Sequence, residues 1–157
     1  MIQRIQSLYL LLAAIAMGAT AYFPLADAIG AKDSLVLYIY KIGSLVPDSI
    51  PDFPGYFMWP MIGIASLAFI MSIITIFLFK KRIVQLNVLR IAVLLLLVMI
   101  ALFFFYYTPE MERVSGGIIG YQVPGAYLPI VTFVFYVLAY RGIMADEKLI
   151  RSAERLR

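Results

Sequence analysis

No cysteine and no histidine occur in the 157 residues. Disulfides are therefore excluded, and cysteine usage says nothing about the redox compartment. The usual structural zinc sites, cysteine-ligated iron–sulfur clusters and histidine-ligated haem are excluded with them. So are thiol chemistry and the Ser-His-Asp arrangement. Charge is scarce as well: 14% of residues are charged and 64% are hydrophobic. A soluble domain is about a quarter charged and roughly half apolar. With a mean hydropathy of +0.95, the surplus apolar surface has no place except lipid, and the sequence reads as one integral membrane domain covering residues 1–157.

What is present is organised by where charges do not fall. A charge at the centre of a bilayer costs about 2.5–3.5 kcal/mol even on the lenient insertion scale. Four charge-free runs stand out: Ile5–Ala26 (22 residues), Phe53–Phe79 (27), Ile91–Pro109 (19) and Val114–Tyr140 (27). A helix needs about 20 apolar residues to cross a core roughly 30 Å thick. The runs predict four spans at about 5–25, 57–79, 89–107 and 124–144. Between them lie outer loops at 26–56 and 108–123, a cytoplasmic loop at 80–88 and a cytoplasmic amphipathic tail at 145–157. In the fourth run, Gly116–Val123 reads as extended. The helix then begins near Pro124, because proline suits a first helical turn, and Pro129 is placed to kink it.

The first run, MIQRIQSLYLLLAAIAMGATAYFPLADA, also resembles a secretory leader, with Ala19-Thr20-Ala21 in the style of a cleavage site. A leader's apolar core runs about 7–15 residues. Here the uncharged stretch is 22 residues and ends in Tyr22-Phe23 before Pro24, as a span leaving lipid does. The expectation is an uncleaved first span.

Direction follows from lysine and arginine in the short connections. Arg4, Lys80, Lys81, Arg82, Arg90, Arg141, Lys148, Arg151, Arg155 and Arg157 share one side; Lys32, Lys41 and Arg113 share the other. Acids run the opposite way, with three on the first side and six on the second. Both termini are expected in the cytoplasm. Tyr22, Phe23, Tyr56, Phe57, Trp59, Phe103–Tyr107 and Tyr127 would form an aromatic belt at the outer interface.

In the first outer loop, SLVLYIYKI has strand composition between turn signals. It predicts a strand over Leu35–Ile42, apolar on both faces and so covered on both. A short strand near Ala26–Gly30 can pair with it, and Gly117–Val123 offers a further partner. The expected fold is an α-helical membrane protein: a four-transmembrane-helix bundle under a small periplasmic antiparallel β-sheet. Asp48 and Asp52 read as solvated turn residues; their spacing is not specific for a cation.

No ionisable residue lies at a span centre, where function usually announces itself. Ser66, Ser72, Thr75, Thr132, Tyr136 and Tyr140 supply the polar groups, and serine and threonine there mostly bond to their own or a neighbouring helix. Ala14 and Gly18 form a small-xxx-small pair, and Gly63, Ala65 and Ala68 line the second span; both patterns predict close helix packing. The basic residues Lys80, Lys81, Arg82, Arg90, Arg141, Lys148, Arg151, Arg155 and Arg157 are candidates for contact with anionic lipid or a cytoplasmic partner. The tail ADEKLIRSAERLR reads as an interfacial helix, with a Glu147–Arg151 pair and an apolar stripe of Leu149, Ile150, Ala153 and Leu156.

The start MIQRIQSLYLLLAAI and the end YRGIMADEKLIRSAERLR resemble a bacterial family of four-span inner-membrane proteins filed as domain of unknown function 4293. The resemblance covers the whole chain, including the aromatic close of the third span. It implies an inner-membrane location and an uncleaved start, and it carries no reaction and no catalytic residues. The outline is similar to the claudin-type arrangement in shape alone. No catalytic residue, cofactor, metal or nucleic acid is expected. The expected function is a small non-enzymatic accessory or assembly subunit of a cell-envelope complex, whose partners are membrane lipids and other envelope membrane proteins or further copies of itself. Two other readings stand beside it: an oligomeric transporter or channel for small molecules or lipids, with Ser66, Thr75 or Thr132 on a water-filled path, and a membrane enzyme using carboxylates such as Glu110 or Asp52.

Overall fold

The computed structural model describes residues 2–47, 53–121 and 123–155. Helix α1 (Ile2–Ala19) leads into three strands, β1 (Ala26–Gly30), β2 (Ser34–Leu37) and β3 (Ile42–Ser44). Helix α2 (Trp59–Phe77) follows, closed by a 3-10 turn over Leu78–Lys80. Helix α3 (Arg82–Leu102) runs through a π turn (Phe103–Tyr107) into α4 (Thr108–Ser115). Strand β4 (Gly117–Gly120) and the long helix α5 (Pro124–Arg155) complete the chain. Among the described residues, three helical stretches are long and apolar enough to cross a membrane: Trp59–Lys80, Arg82–Ser115 and Pro124–Ile150.

The helices form a square in which α1 neighbours α2 and α5, and α3 neighbours α2 and α5. The pairs α1–α5 and α2–α3 pack closely, whereas the seams α1–α2 and α3–α5 are looser. Close approach within α1–α5 depends on glycine at both ends of the pair. A Cβ on Gly125 would strike the backbone carbonyl of Pro24, and one on Gly142 would lie 2.9 Å from Cγ of Gln6. Helix α1 and the turn after it thus run along α5 from Gln6 beside Gly142 to Pro24 beside Gly125. In α2–α3, the 3-10 turn leaves α2 carbonyls without helical partners. Buried Gln85 of α3 donates Nε2 to the Thr75 carbonyl at 3.0 Å.

The π turn has a geometric cause. Met99, Phe103, Tyr107, Met111 and Ser115 are all buried at a spacing of four. A helix of 3.6 residues per turn would rotate such a row steadily away from the core. A π turn holds more residues per turn and brings Tyr107 back inward, where its hydroxyl donates to the Phe57 carbonyl at 3.0 Å.

The sheet is antiparallel in the order β3-β2-β1-β4. Ala26 and Ala28 oppose Leu37 and Leu35 across β1–β2, and all four are buried on the bundle side. Strand β4 completes the sheet beside β1, placing Ile118 opposite Ile29 on the outward face. Helix α4 reaches β4 through Gly116 at φ 65°, a left-handed C-terminal position that glycine takes without strain. Asp33 ties the β1–β2 turn to β3: its Oδ1 accepts from the Ser34 amide at 2.7 Å and the Ser44 hydroxyl at 2.6 Å.

Several expectations need correction. Leu35–Ile42 is not one strand: the chain turns over Tyr38–Lys41, where the Tyr38 amide bonds the Lys41 carbonyl at 2.8 Å, and Ile42 starts β3. The pattern cannot show this, because a tight turn made of strand-forming residues looks like continued strand. Coverage of both faces is also incomplete: Leu35 and Leu37 are buried, Val36 and Tyr38 are half-buried, and Tyr40 is 50% exposed. The segment 80–88 is largely the first turns of α3, and 108–115 is helix α4. Residues 145–155 continue α5 without a break. Asp48, Asp52 and Arg157 lie outside the described residues, as do the side chains of Arg4, Arg151, Ala153 and Arg155 and hence the Glu147–Arg151 pair.

Candidate functional site

The bundle interior is closed by hydrogen bonds between its own groups. The Tyr136 hydroxyl of α5 meets the Ser72 hydroxyl of α2 across the diagonal of the square. Ser72 also donates to the Ala68 carbonyl at 2.9 Å. Thr75 and Thr132 are fully buried and donate to the Met71 and Leu128 carbonyls one turn back. Among the described residues no buried side-chain nitrogen or oxygen lacks a partner. Ser66 faces outward, so Ser66, Thr75 and Thr132 do not share one path through the protomer. The Glu110 carboxylate pairs with Arg113 of the same helix, and among the described residues no three acidic side chains cluster as metal ligands would.

Among the described residues, clefts lie along the two loose seams and at the sheet end, where a hollow of about 320 Å³ opens between residues 40–42 and the start of α2, with Phe53, Phe57, Trp59 and Ile62 in its walls. The α1–α2 seam is a groove of about 650 Å³ with Leu11, Ala14, Gly18, Phe69, Ile73 and Phe77 in its walls. Ala14 and Gly18 line it, and Phe69 of α2 packs into the space a side chain at Gly18 would need, since a Cβ there would lie 3.3 Å from its ring. A second hollow of about 370 Å³ continues towards the sheet past Thr20, Ile39 and Ser66. Ala65 and Ala68 are buried as close packing requires. Gly63 is not part of that contact: nothing lies within 4 Å of the position its Cβ would take.

The α3–α5 seam has a different lining. A cleft of about 250 Å³ runs between Val93, Phe133 and Val137, with Arg90 and Tyr140 at its mouth. A more polar cleft of about 300 Å³ adjoins it, lined by Leu86, Asn87, Arg90, Met144, Glu147 and Lys148. Arg90 belongs to both. Its Nη2 donates to the Tyr140 hydroxyl at 3.1 Å, and its guanidinium lies 5.7 Å from the centre of that ring.

The described basic candidates gather at the bundle end opposite the sheet. Arg82 reaches the Asp146 carbonyl at 3.4 Å, Lys80 lies beside the Phe79 ring, and Lys81, Arg141 and Lys148 are exposed. One contact there carries no signal in the sequence. Gln6 of α1 donates Nε2 to Oδ2 of Asp146 at 2.7 Å, both residues being buried, and so bolts the first helix to the last. The two residues are 140 positions apart, and each reads alone as an ordinary interfacial polar group.

No curated protein matches the chain. The model of the family described as domain of unknown function (DUF4293) matches residues 2–156, and the chain belongs to that family.

Proposed function

We propose that the protein is a four-span protein of the bacterial inner membrane with both termini in the cytoplasm, and that it serves as a non-enzymatic accessory or assembly subunit of a larger envelope complex. Helix α1 is the fourth span in this reading. Two observations support that placement: Gln6 meets α5 at Asp146 while Pro24 meets it at Gly125. Its apolar helix Ile5–Ala19 rises about 22 Å, and the hydrogen-bonded turns through Phe23 extend it towards the roughly 30 Å core. The excess of lysine and arginine at the end bearing Lys80–Arg82 supports the orientation, and the sheet then lies on the periplasmic side.

The observation that carries the functional reading is the contrast between a self-satisfied interior and the open apolar groove on α1–α2. A groove lined by Ala14 and Gly18 admits the backbone of another membrane helix closely, and such packing drives helix association in lipid. The occupant is accordingly a transmembrane helix of a partner subunit. The test is affinity purification of the full chain from native membranes in mild detergent. An integral membrane partner is expected in fixed ratio, and it is lost when Ile15, 58% exposed on the groove wall, is changed to Trp. Recovery of the wild-type chain alone as a monomer would remove the proposal.

A further inference from the structure

Arg90 stands where the two clefts of the α3–α5 seam meet. From Arg90 to Glu110 the helix carries 19 uncharged residues, about 28 Å of rise. Arg90 therefore sits at the boundary between the hydrocarbon core and the headgroups. Its hydrogen-bond partners are neutral: the Tyr140 hydroxyl, and Asn87 Oδ1 at 3.4 Å. Among the described residues no carboxylate pairs with it. A guanidinium offers five N–H donors and suits a phosphate in particular, so Arg90 keeps donors to spare. Towards the sheet end, Val93, Phe133 and Val137 form an apolar slot. Phe133 lies about 10 Å along α5 from Tyr140, the reach of several methylenes.

We propose that this seam holds one molecule of an anionic glycerophospholipid, its phosphate on Arg90 and an acyl chain in the slot below. The inference rests on the membrane placement given above. Basic pockets between helices at the cytoplasmic face suit such headgroups. Glu147 and Lys148 line the polar cleft with Arg90, and the three together carry one net positive charge. Arg82 and Arg141 add to it at the same end. A headgroup whose charge is the phosphate alone fits that balance better than one that also bears a quaternary ammonium. Asn87 and the Tyr140 hydroxyl hold the guanidinium at the mouth, so that the phosphate is met by an oriented fork.

The full chain, purified in mild detergent and stripped of lipid, is titrated with phosphatidylglycerol or with phosphatidylcholine of the same acyl chains, and bound lipid is read by native mass spectrometry. One phosphatidylglycerol per chain is expected, bound about tenfold more tightly than phosphatidylcholine, whose quaternary ammonium meets the like charges of Lys148, Arg82 and Arg141. Arg90→Gln lowers that binding about tenfold. Val93→Trp, which fills the slot and leaves Arg90 in place, lowers it as well, whereas Lys32→Gln, exposed at the sheet end, leaves it unchanged. Equal binding of the two lipids, or wild-type binding by Arg90→Gln, overturns the lipid site. The same proteins are reconstituted into vesicles and washed with alkaline carbonate. Release by the wash overturns the membrane placement and this inference with it; retention with unaltered lipid binding overturns the lipid site alone.

Discussion

The hydrogen bond from Gln6 to Asp146 tests whether α1 is locked to α5 along its length. Both side chains are buried, at 6% and 8% exposure, and the 2.7 Å bond is the donor recorded for Oδ2. Gln6→Leu removes the donor with a side chain one atom shorter, leaving a buried carboxyl oxygen without a partner. Such an orphan costs about 1–3 kcal/mol, and more when the group is charged, so a loss of about 2–3 kcal/mol is expected. Asp146→Asn keeps an acceptor opposite Gln6 and should cost under about 1 kcal/mol. The double variant Gln6→Leu/Asp146→Leu removes both polar partners and should recover most of the loss, since an apolar pair of similar shape is often nearly neutral. The assay is reversible unfolding in mixed micelles, followed by helical circular dichroism and analysed as a double-mutant cycle whose single variants are Gln6→Leu and Asp146→Leu. If the single changes simply add in the double variant, with no coupling beyond about 0.3 kcal/mol, the reasoning fails and α1 is not docked at this end.

Other outcomes follow from the same geometry. Tyr136→Phe removes the diagonal bond to Ser72 and should cost about 0.5–1.5 kcal/mol in that assay, the range for polar contacts between membrane helices; Ser72→Ala added to it should cost little more. Gly116→Ala forces a Cβ into a left-handed conformation at φ 65° and should lower stability by about 1 kcal/mol. The absence of native cysteine makes orientation directly measurable. Lys32→Cys should react with a membrane-impermeant maleimide from the periplasmic side, and Lys81→Cys only after the inner membrane is opened. The reverse pattern would invert the proposed topology.

Much of the local structure is legible in the sequence because local rules govern it. Pro60 lies in the first turn of α2 and Pro124 opens α5, where proline's missing amide costs nothing. Ala26–Gly30 pairs with β2 as expected. The expected helix over 89–107 is the middle of a longer one, since hydropathy marks what suits lipid and is blind to helix that continues beyond it. The candidate basic residues could be named from charge alone. Which of them shares a cleft with an apolar slot could not, because Arg90 meets Tyr140 fifty residues away.

The sequence by itself determined that long apolar helices dominate, that a small strand-forming segment separates the first two, and that thiol and imidazole chemistry are absent. These are properties of composition and of short windows, where hydropathy and backbone preference act residue by residue. Only the tertiary structure decided that α1–α5 and α2–α3 are the tight pairs, that a π turn keeps Tyr107 inward, and that Gly63 faces open space while Gly18 lines a groove. Those outcomes depend on side chains far apart in the chain competing for the same volume. Packing settles such a competition between whole helix faces, and no single stretch of sequence contains both sides of it.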